Sequence, residues 1–226
     1  MTSVFVTGTG TDVGKTFVTG ALIRRLRASG QEVDAIKPVV SGFDPAALSA
    51  SDPGVLIAAL GRPVTPAEID RISPWRFAAP LSPDMAAARE SRVVDFEALV
   101  AYCRSRAAST RGVVFIEGVG GIMVPLDDRH TVLDWITALR VPVIVVAGSY
   151  LGTISHTLTA LHVLARRNVD IAAVVVSEST APGASLEGTV ESVARFAGTV
   201  EVIGVPRLSR DAAHLHPAIE RLVALL

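Results

Sequence analysis

Residues 8–16 read GTGTDVGKT, which places glycines, a lysine and a threonine at a spacing suited to binding phosphate. They follow the apolar run 4–6 and precede an amphipathic stretch, an order typical of strand, loop and helix. The glycines let backbone N–H groups converge on an anion at the positive end of the helix. Lys15 would supply a compact cation, and the Thr16 hydroxyl a ligand for Mg²⁺. The sequence therefore predicts a site for the phosphates of a nucleotide.

This loop is one residue longer than the usual phosphate loop. The usual pattern has four residues between its first glycine and Gly-Lys-Thr. Here five residues follow Gly8, and Thr9 occupies the standard first position. A dinucleotide-binding fingerprint fits less well, because the glycines are too widely spaced and a lysine follows them. We therefore interpret the segment as an enlarged phosphate loop.

Lys37 is the second of two lysines, and the other 19 basic residues are arginines. A compact ammonium is thus kept at Lys15 and Lys37 although arginine supplies positive charge elsewhere. Residues 33–36 read as a short strand, and Pro38 holds Lys37 in an extended backbone. The Lys37 side chain is then expected at the carboxyl end of that strand, where parallel sheets bind ligands.

Glu117 directly follows the apolar run 113–116, which fits a strand buried on both faces of a parallel sheet. Its carboxylate is expected at the same edge of the sheet as Thr16. There it would hold the Mg²⁺ of a bound nucleotide. The glycines at 118, 120 and 121 leave room for phosphates or substrate beside it.

The composition restricts the class of protein. Of the 226 residues, 50% are apolar and the formal charge is −1, so neither nucleic acid nor an anionic membrane is an expected partner. The single cysteine excludes an internal disulfide. Residues 1–3 lack the basic start of a secretory signal, and no apolar run has the ~18 residues that span a bilayer. A cytoplasmic protein with small-molecule ligands is expected.

Strand patterns alternate with helical patterns along most of the chain. The further predicted strands are 141–147, 171–176 and 200–205, and the predicted helices are 96–106, 154–167, 186–197 and one at the C-terminus. Such alternation specifies α/β architecture: a doubly wound, mostly parallel sheet with helices on both faces, like that of P-loop NTPases. Residues 1–226 are expected to form a single domain of this class.

Residues 43–94 interrupt the alternation with seven prolines. We interpret them as loop-rich, with short helical stretches at 55–60 and 84–89. The segment is too long for a simple connection and too apolar for a disordered linker. A substrate-covering insertion and a purely structural excursion are equally compatible with it.

Several motifs resemble those of one family, dethiobiotin synthetase, the ATP-dependent carboxylase that closes the ureido ring in biotin synthesis. The resemblance rests on the enlarged loop at 7–16 and on four further blocks: 37–42 (KPVVSG), 77–83 (FAAPLSP), 117–121 (EGVGG) and 151–156 (LGTISH). These blocks keep the order of the family and are spread over residues 7–156, most of the chain. Together they are specific, whereas a phosphate loop alone is shared by many nucleotide-binding families.

The resemblance implies a reaction. 7,8-Diaminopelargonic acid and CO₂ would form a carbamate, ATP would phosphorylate it, and the neighbouring amine would displace phosphate to give dethiobiotin and ADP. It further implies an ATP-dependent cyclo-ligase that needs Mg²⁺ and acts as a homodimer, with residues 151–156 contributing across the subunit boundary. Because the carbamate, the γ-phosphate and the mixed anhydride are anionic, positioning and charge stabilisation would carry the catalysis.

The resemblance also implies roles for individual residues. Catalysis would fall to Lys15, Lys37 and Thr11, metal binding to Thr16, Asp52 and Glu117, and substrate binding to Ser41 and Lys37. The implied nucleotide-binding residues are Asp12, Val13, Gly14, Lys15, Thr16, Phe17, Asp52, Glu117, Gly118, Val119, Gly120, Ser177, Glu178, Val205, Pro206 and Arg207. Asp44 lies in the same region as Asp52 and remains the alternative metal ligand.

Two positions depart from the family pattern. Ser177 and Glu178 stand where family members often have an asparagine that reads the adenine edge, and Ser155 replaces an asparagine beside His156. A serine makes fewer of the hydrogen bonds that a planar amide makes. We therefore expect relaxed selectivity for the nucleotide base.

A partner-regulated ATPase switch of the Mrp/MinD type is the main alternative, since it shares the fold class. Such switches carry a second lysine early in the phosphate loop, where this chain has Thr9 and Gly10. A GTPase would need an Asn-Lys-x-Asp motif, and neither lysine here follows an asparagine. A small-molecule kinase would leave Lys37 and the glycines after Glu117 unexplained.

Overall fold

The computed structural model describes residues 2–180 and 183–226. Its strands are β1 (Thr2–Gly8), β2 (Val33–Ile36), β3 (Val39–Ser41), β4 (Trp75–Phe77), β5 (Val113–Glu117), β6 (Val143–Gly148), β7 (Ile171–Ser177) and β8 (Val202–Val205). Its α-helices are α1 (Lys15–Ala28), α2 (Asp52–Ala59), α3 (Pro66–Ile72), α4 (Pro83–Arg89), α5 (Phe96–Ser109), α6 (Val132–Leu139), α7 (Thr153–Arg166), α8 (Leu186–Ala194) and α9 (Pro217–Val223). Within this part of the chain, no helix is both long and apolar enough to cross a membrane.

The main sheet has the strand order β2-β5-β1-β6-β7-β8, and every neighbouring pair is parallel. Its central strand β1 buries Val4, Phe5 and Val6 completely. Helices flank the sheet in packed groups, α1 with α2 and α9, α5 with α6, and α7 with α8. The α/β fold class predicted from the alternating pattern is confirmed.

The strand order places one edge of the sheet where ligands bind. β1 pairs with β5 on one side and with β6 on the other, so the chain changes direction across the sheet at β1. Loops leaving the carboxyl ends of β1, β2 and β5 therefore converge beside a crevice. The phosphate loop, Lys37 and Glu117 follow or end these three strands.

The interpretation of residues 43–94 as loop-rich is wrong. The segment contains α2, α3, α4 and β4, and β4 pairs in parallel with β3 to form a small second sheet. Pro53, Pro66 and Pro83 lie in the first turns of the three helices, where a missing N–H costs nothing. These prolines lie where helices begin, and the prediction that they break helices is wrong. Both predicted helical stretches are present, and α3 was missed.

The helix α6 was also missed. Thr131 and Asp134 form a capping box at its start, a signal that the sequence carries. Its residue Trp135 is completely buried and meets the Phe5 ring edge-on, with ring centroids 4.8 Å apart. The helix therefore closes the core beneath β1.

Candidate active site

The phosphate loop connects β1 to α1 and needs its glycines for two steric reasons. Gly14 has a φ of 96°, and a Cβ there would lie 2.6 Å from the Ser177 hydroxyl oxygen. At Gly8 a Cβ would lie 2.9 Å from a Val13 methyl group. The loop also pairs with the segment after β5 through a bridge between Thr9 and Gly121. The β1 and β5 loops therefore form one continuous backbone surface.

Lys15 begins α1, and its side chain folds back over the loop. Its Nζ donates to the carbonyl oxygens of Gly10 at 2.7 Å and Gly120 at 3.0 Å. Burial, and next the nearby Lys37 ammonium, lower the pKa of Lys15 to about 8. The Glu117, Asp52 and Asp12 carboxylates partly offset this shift. The lysine is thus held by carbonyl dipoles where phosphate oxygens could replace them.

Lys37 lies directly after β2, and its backbone is fixed from both sides. Its N–H donates to the Ile72 carbonyl at 3.1 Å, and the Ser73 hydroxyl donates to its carbonyl at 2.6 Å. Its buried Nζ lies 2.7 Å from Glu117 Oε1 and 3.1 Å from Asp52 Oδ2. Burial acts to lower the pKa of Lys37, but these two carboxylates outweigh it and hold that pKa above its usual value. Lys37 is therefore a charged group that bridges two carboxylates.

Glu117 ends β5 and is completely buried. Its Oε1 accepts hydrogen bonds from the Thr16 hydroxyl at 2.6 Å and from Lys37 Nζ at 2.7 Å. Its Oε2 is buried without a hydrogen-bond partner among residues 2–180 and 183–226. A buried carboxylate oxygen left unpaired is costly, so a cation or a donor is needed beside it.

Asp52 rather than Asp44 joins this cluster. Asp52 is the first residue of α2, and its pKa is lowered because the Lys37 ammonium and the Thr16 hydroxyl outweigh the effect of burial. Asp44 is exposed, and its carboxylate accepts the Ala46 N–H at 2.8 Å within a turn. Of the two candidate residues, the structure brings Asp52, and not Asp44, to the charged groups around Lys37.

A cavity of about 710 Å³ opens beside these charged groups. Its walls include Thr11, Lys15, Lys37 and Asp52, and Ser41 lines the same cavity. The Ser41 hydroxyl oxygen is buried without a partner in the described part of the chain. Residues 80–83, which belong to the segment 43–94, also line this cavity.

A second cavity of about 380 Å³ adjoins the first, and both share Asp12, Gly14, Phe17, Arg207 and Arg210. Val13, Ser177, Glu178 and Pro206 line the second cavity, while Val119 and Gly120 line the first. The Glu178 carboxylate accepts the Arg207 N–H at 2.8 Å and so joins the ends of β7 and β8. Two predicted residues lie beneath this surface: Val205 is completely buried, and a Cβ at Gly118 would lie 2.9 Å from the Phe5 ring.

Sequence reasoning assigned no role to Arg210 or Leu81, which line these cavities. Arg210 was obscured because arginine is the ordinary basic residue of this chain. Among the described residues, 151–156 line neither cavity. Leu151 is 88% exposed, and the Tyr150 hydroxyl lies 3.0 Å from His156 Nδ1 on the surface. The predicted role of this block at a subunit boundary stays a prediction.

Nucleotide binding is expected to take up a proton above about pH 8. Phosphate oxygens favour the ammonium form of Lys15, so a bound nucleotide raises a pKa that the free protein holds at about 8. Between that value and the ordinary 10.5, affinity for ADP then falls as pH rises, by up to about tenfold per pH unit. Calorimetry in buffers of different ionisation enthalpy measures the uptake. No proton uptake at pH 9 would contradict this description of Lys15.

The parallel sheet, the loop between β1 and α1 and the charged groups at three strand ends define a P-loop nucleotide-binding protein. A family model described as an AAA domain matches residues 2–210. ATP-dependent dethiobiotin synthetases from Methylobacterium nodulans and Acidiphilium cryptum are 52% and 47% identical to the chain. The matches cover 92% and 88% of this chain, and 94% and 89% of those proteins. The chain belongs to the ATP-dependent dethiobiotin synthetase family.

A solved structure confirms the fold class. The MinC:MinD cell division protein complex of Aquifex aeolicus aligns with a TM-score of 0.57 at 12% identity, over 100% of this chain and 93% of that one. This likeness concerns the fold alone.

Proposed function

We propose that this chain carboxylates 7,8-diaminopelargonic acid with CO₂ and closes the ureido ring at the expense of ATP, which gives dethiobiotin, ADP and phosphate. The observation that supports this best is the meeting of Lys15, Lys37 and Glu117 at one edge of the sheet. A phosphate loop adjoins them on one side, and the cavity that contains Ser41 adjoins them on the other. Family membership supports the same reaction.

The donor set near Lys37 suits Mg²⁺. Thr16 and Glu117 are in direct contact, Asp52 shares Lys37 with Glu117, and Glu117 Oε2 is the unpaired buried oxygen. Mg²⁺ typically takes one or two carboxylates and completes its shell with phosphate oxygens and water. We assign Thr16, Asp52 and Glu117 as its protein ligands. When bound, the ion would neutralise charge on the outer phosphates of ATP.

The protein's own groups would divide the chemistry along the cavity. Lys15, with Thr11 beside it, would hold the transferring phosphoryl group, and Lys37 would hold the carbamate that attacks it. The Ser41 hydroxyl would bind the substrate next to Lys37. In the last step the second amine attacks the carbamate carbon, the carbon–oxygen bond to phosphate breaks, and phosphate leaves. Fixed positive charge along this path stabilises each anion as it forms.

We assign the nucleotide to both cavities. Its phosphates would lie on residues 12–17 with Asp52, Glu117, Gly118, Val119 and Gly120, and its base near Ser177, Glu178, Val205, Pro206 and Arg207. The Ser177 hydroxyl and the Glu178 carboxylate line the proposed base pocket. A serine and a carboxylate provide fewer fixed donor and acceptor pairs than one planar amide.

The base pocket predicts weak discrimination among nucleoside triphosphates. We expect kcat/KM values for ATP, CTP and GTP to fall within about tenfold of one another, because no more than about 1.4 kcal/mol then separates the bases. The Ser177→Asn variant should favour ATP. Initial rates with the three donors measure both effects. A strong preference for ATP in the unaltered enzyme would show that backbone groups read adenine.

Lys37 and the proposed metal compete for the same carboxylates. Its Nζ is 2.7 Å from Glu117 and 3.1 Å from Asp52, so metal binding must overcome a resident cation. We expect Lys37→Met to bind Mn²⁺ about tenfold more tightly than the unaltered protein when ADP is present. Lys37→Arg keeps the positive charge, so its affinity for Mn²⁺ should equal that of the unaltered protein. Electron paramagnetic resonance measures free Mn²⁺; equal affinity for all three would refute the competition.

We propose further that the protein works in the cytoplasm, where its co-substrate ATP is available, and as a homodimer. The exposed Leu151 and Met123 side chains support an apolar contact with a second copy. The covering role of residues 43–94 is likewise part of the proposal and is supported by residues 80–83 in the cavity wall.

Dependence on the diamine separates this function from that of a switch ATPase. Release of ADP should require 7,8-diaminopelargonic acid and bicarbonate together, and should remain near background when either is omitted. ATP turnover that needs neither compound, and that a second protein stimulates, would favour the switch. A coupled assay for ADP measures both outcomes.

A further inference from the structure

A further cavity, of about 640 Å³ and separate from the two described above, lies at the amino-terminal end of β2, where Val33 and Asp34 line it. Lys37 follows the opposite end of this four-residue strand, so the cavity faces away from the proposed active site. Its other walls come from the ends of α1, α3 and α5 and from the segment after α2. We call it the arginine cavity, after Arg27, Arg62, Arg71, Arg106 and Arg111.

The arginine cavity has more positive charge than its own carboxylates neutralise. Five arginines face Glu32 and Asp34 in its walls, and Glu68 pairs with two of the arginines from one side. The balance is 5 − 3 = +2, in a chain whose formal charge is −1. The cavity walls therefore carry a local excess of positive charge that the chain as a whole does not have.

Three of these arginines contact the same carboxylate, that of Asp34. Asp34 is buried, with Arg62 Nη1 3.0 Å from its Oδ1 and Arg71 Nη1 3.4 Å from its Oδ2. Arg106 also donates to Oδ2. Three guanidinium groups thus share one carboxylate, although a single arginine can satisfy a carboxylate through two parallel hydrogen bonds.

Two further groups are available for a ligand. Arg106 Nε is buried without a hydrogen-bond partner among the described residues. Arg111 is exposed and lines the cavity, two residues before β5. Like charges in partly buried surroundings repel each other more strongly than in water. An anion in the cavity would relieve that repulsion and supply the missing acceptors.

We propose that the arginine cavity is a second ligand site, which binds a small oxyanion of at least two negative charges, of the polyphosphate class. Planar guanidinium groups match the oxygens of phosphate in pairs, which favours this class over monovalent ions. The proposal is independent of the reaction assigned above, because the arginine cavity lies at the amino-terminal end of β2 and the proposed active site lies at the carboxyl ends of the strands. Inorganic pyrophosphate is the probe that tests it.

Binding of pyrophosphate should be measured with the phosphate loop filled by saturating ADP, so that the loop itself does not contribute. The expected result is one pyrophosphate per chain in addition to the nucleotide. The variant Arg62→Gln/Arg111→Gln should weaken it at least tenfold and leave ADP binding unchanged. Arg111→Gln alone, which leaves every Asp34 contact in place, should weaken it measurably and covers the case in which the double variant misfolds.

Arg195→Gln is the matched control, since Arg195 is exposed at the end of α8, beside β8 at the far edge of the sheet. It should bind pyrophosphate like the unaltered protein. Two results overturn the proposal: no binding beyond ADP at roughly millimolar pyrophosphate, or equal weakening by the control. A second equivalent of ADP that binds more tightly than pyrophosphate and is lost with Arg111→Gln would identify a nucleotide as the source of the phosphates.

Discussion

Lys37→Arg lowers kcat for dethiobiotin formation at least tenfold, which corresponds to a barrier about 1.4 kcal/mol higher. The Lys37 ammonium is 97% buried and already lies 2.7 Å from Glu117 and 3.2 Å from the Gly118 carbonyl. A guanidinium is wider and planar, so it retains the charge but displaces it from the carbamate. The KM for ATP should change little, because Lys15 and the loop hold the phosphates. Steady-state kinetics with both substrates varied separate the two parameters.

Arg24→Lys is the control for this exchange. Arg24 is half-buried in α1 and donates to the carbonyl of Arg210, a residue that lines the cavity, at 3.4 Å. Exchanging the two basic residue types there should leave kcat unchanged. If Lys37→Arg also kept the unaltered kcat, the presence of lysine at this position would be incidental, and the assignment of Lys37 to the carbamate would fail.

Glu117→Gln should reduce kcat/KM by about a hundredfold or more, because it removes a proposed metal ligand at the point where charge develops. It also leaves the Lys37 ammonium with Asp52, which is about half exposed, as its remaining carboxylate contact. Removing one partner of a buried ion pair typically costs about 3 kcal/mol or more of unfolding free energy. Enzyme kinetics and urea unfolding measure the two losses.

Glu117→Asp separates function from folding in this experiment. It keeps the charge near Lys37 but withdraws the oxygens from Thr16, so it should recover much of the stability and little of the activity. Glu201→Gln, in an exposed ion pair with Arg221, is the control and should change neither. Activity of Glu117→Gln within about threefold of the unaltered enzyme would contradict the metal assignment.

The strand ends were predictable because their signals are local. The apolar run before Glu117 indicated a strand of a parallel sheet, the residues before Lys37 read as a short strand, and parallel strands bring their carboxyl ends to one edge. From these features the sequence predicted that Lys15, Lys37 and Glu117 meet. In the structure Lys37 contacts Glu117 directly, and Lys15 donates to the carbonyl of Gly120, three residues after Glu117. The fold class followed from the same alternation.

The segment 43–94 was harder to predict because a proline has two opposite meanings. In the interior of a helix it breaks the structure, and in the first turn it begins one. Ser51 caps α2 two residues before Pro53, and Thr65 caps α3 directly before Pro66. The Thr65–Pro66 pair is a helix-start signal that would have identified α3. The choice between Asp44 and Asp52 needed the structure, since it depends on where α2 packs against Lys37.

Formation and phosphorylation of a carbamate can be followed through the oxygens of CO₂. Freshly mixed ¹³C,¹⁸O-labelled bicarbonate is supplied with 7,8-diaminopelargonic acid, Mg²⁺ and ATP. Mass spectrometry then measures the isotope content of the products. If a carbamate is phosphorylated at this edge of the sheet, dethiobiotin carries the ¹³C with one ¹⁸O, and the released phosphate carries another ¹⁸O. ADP and unlabelled phosphate formed without a ring product would contradict the account.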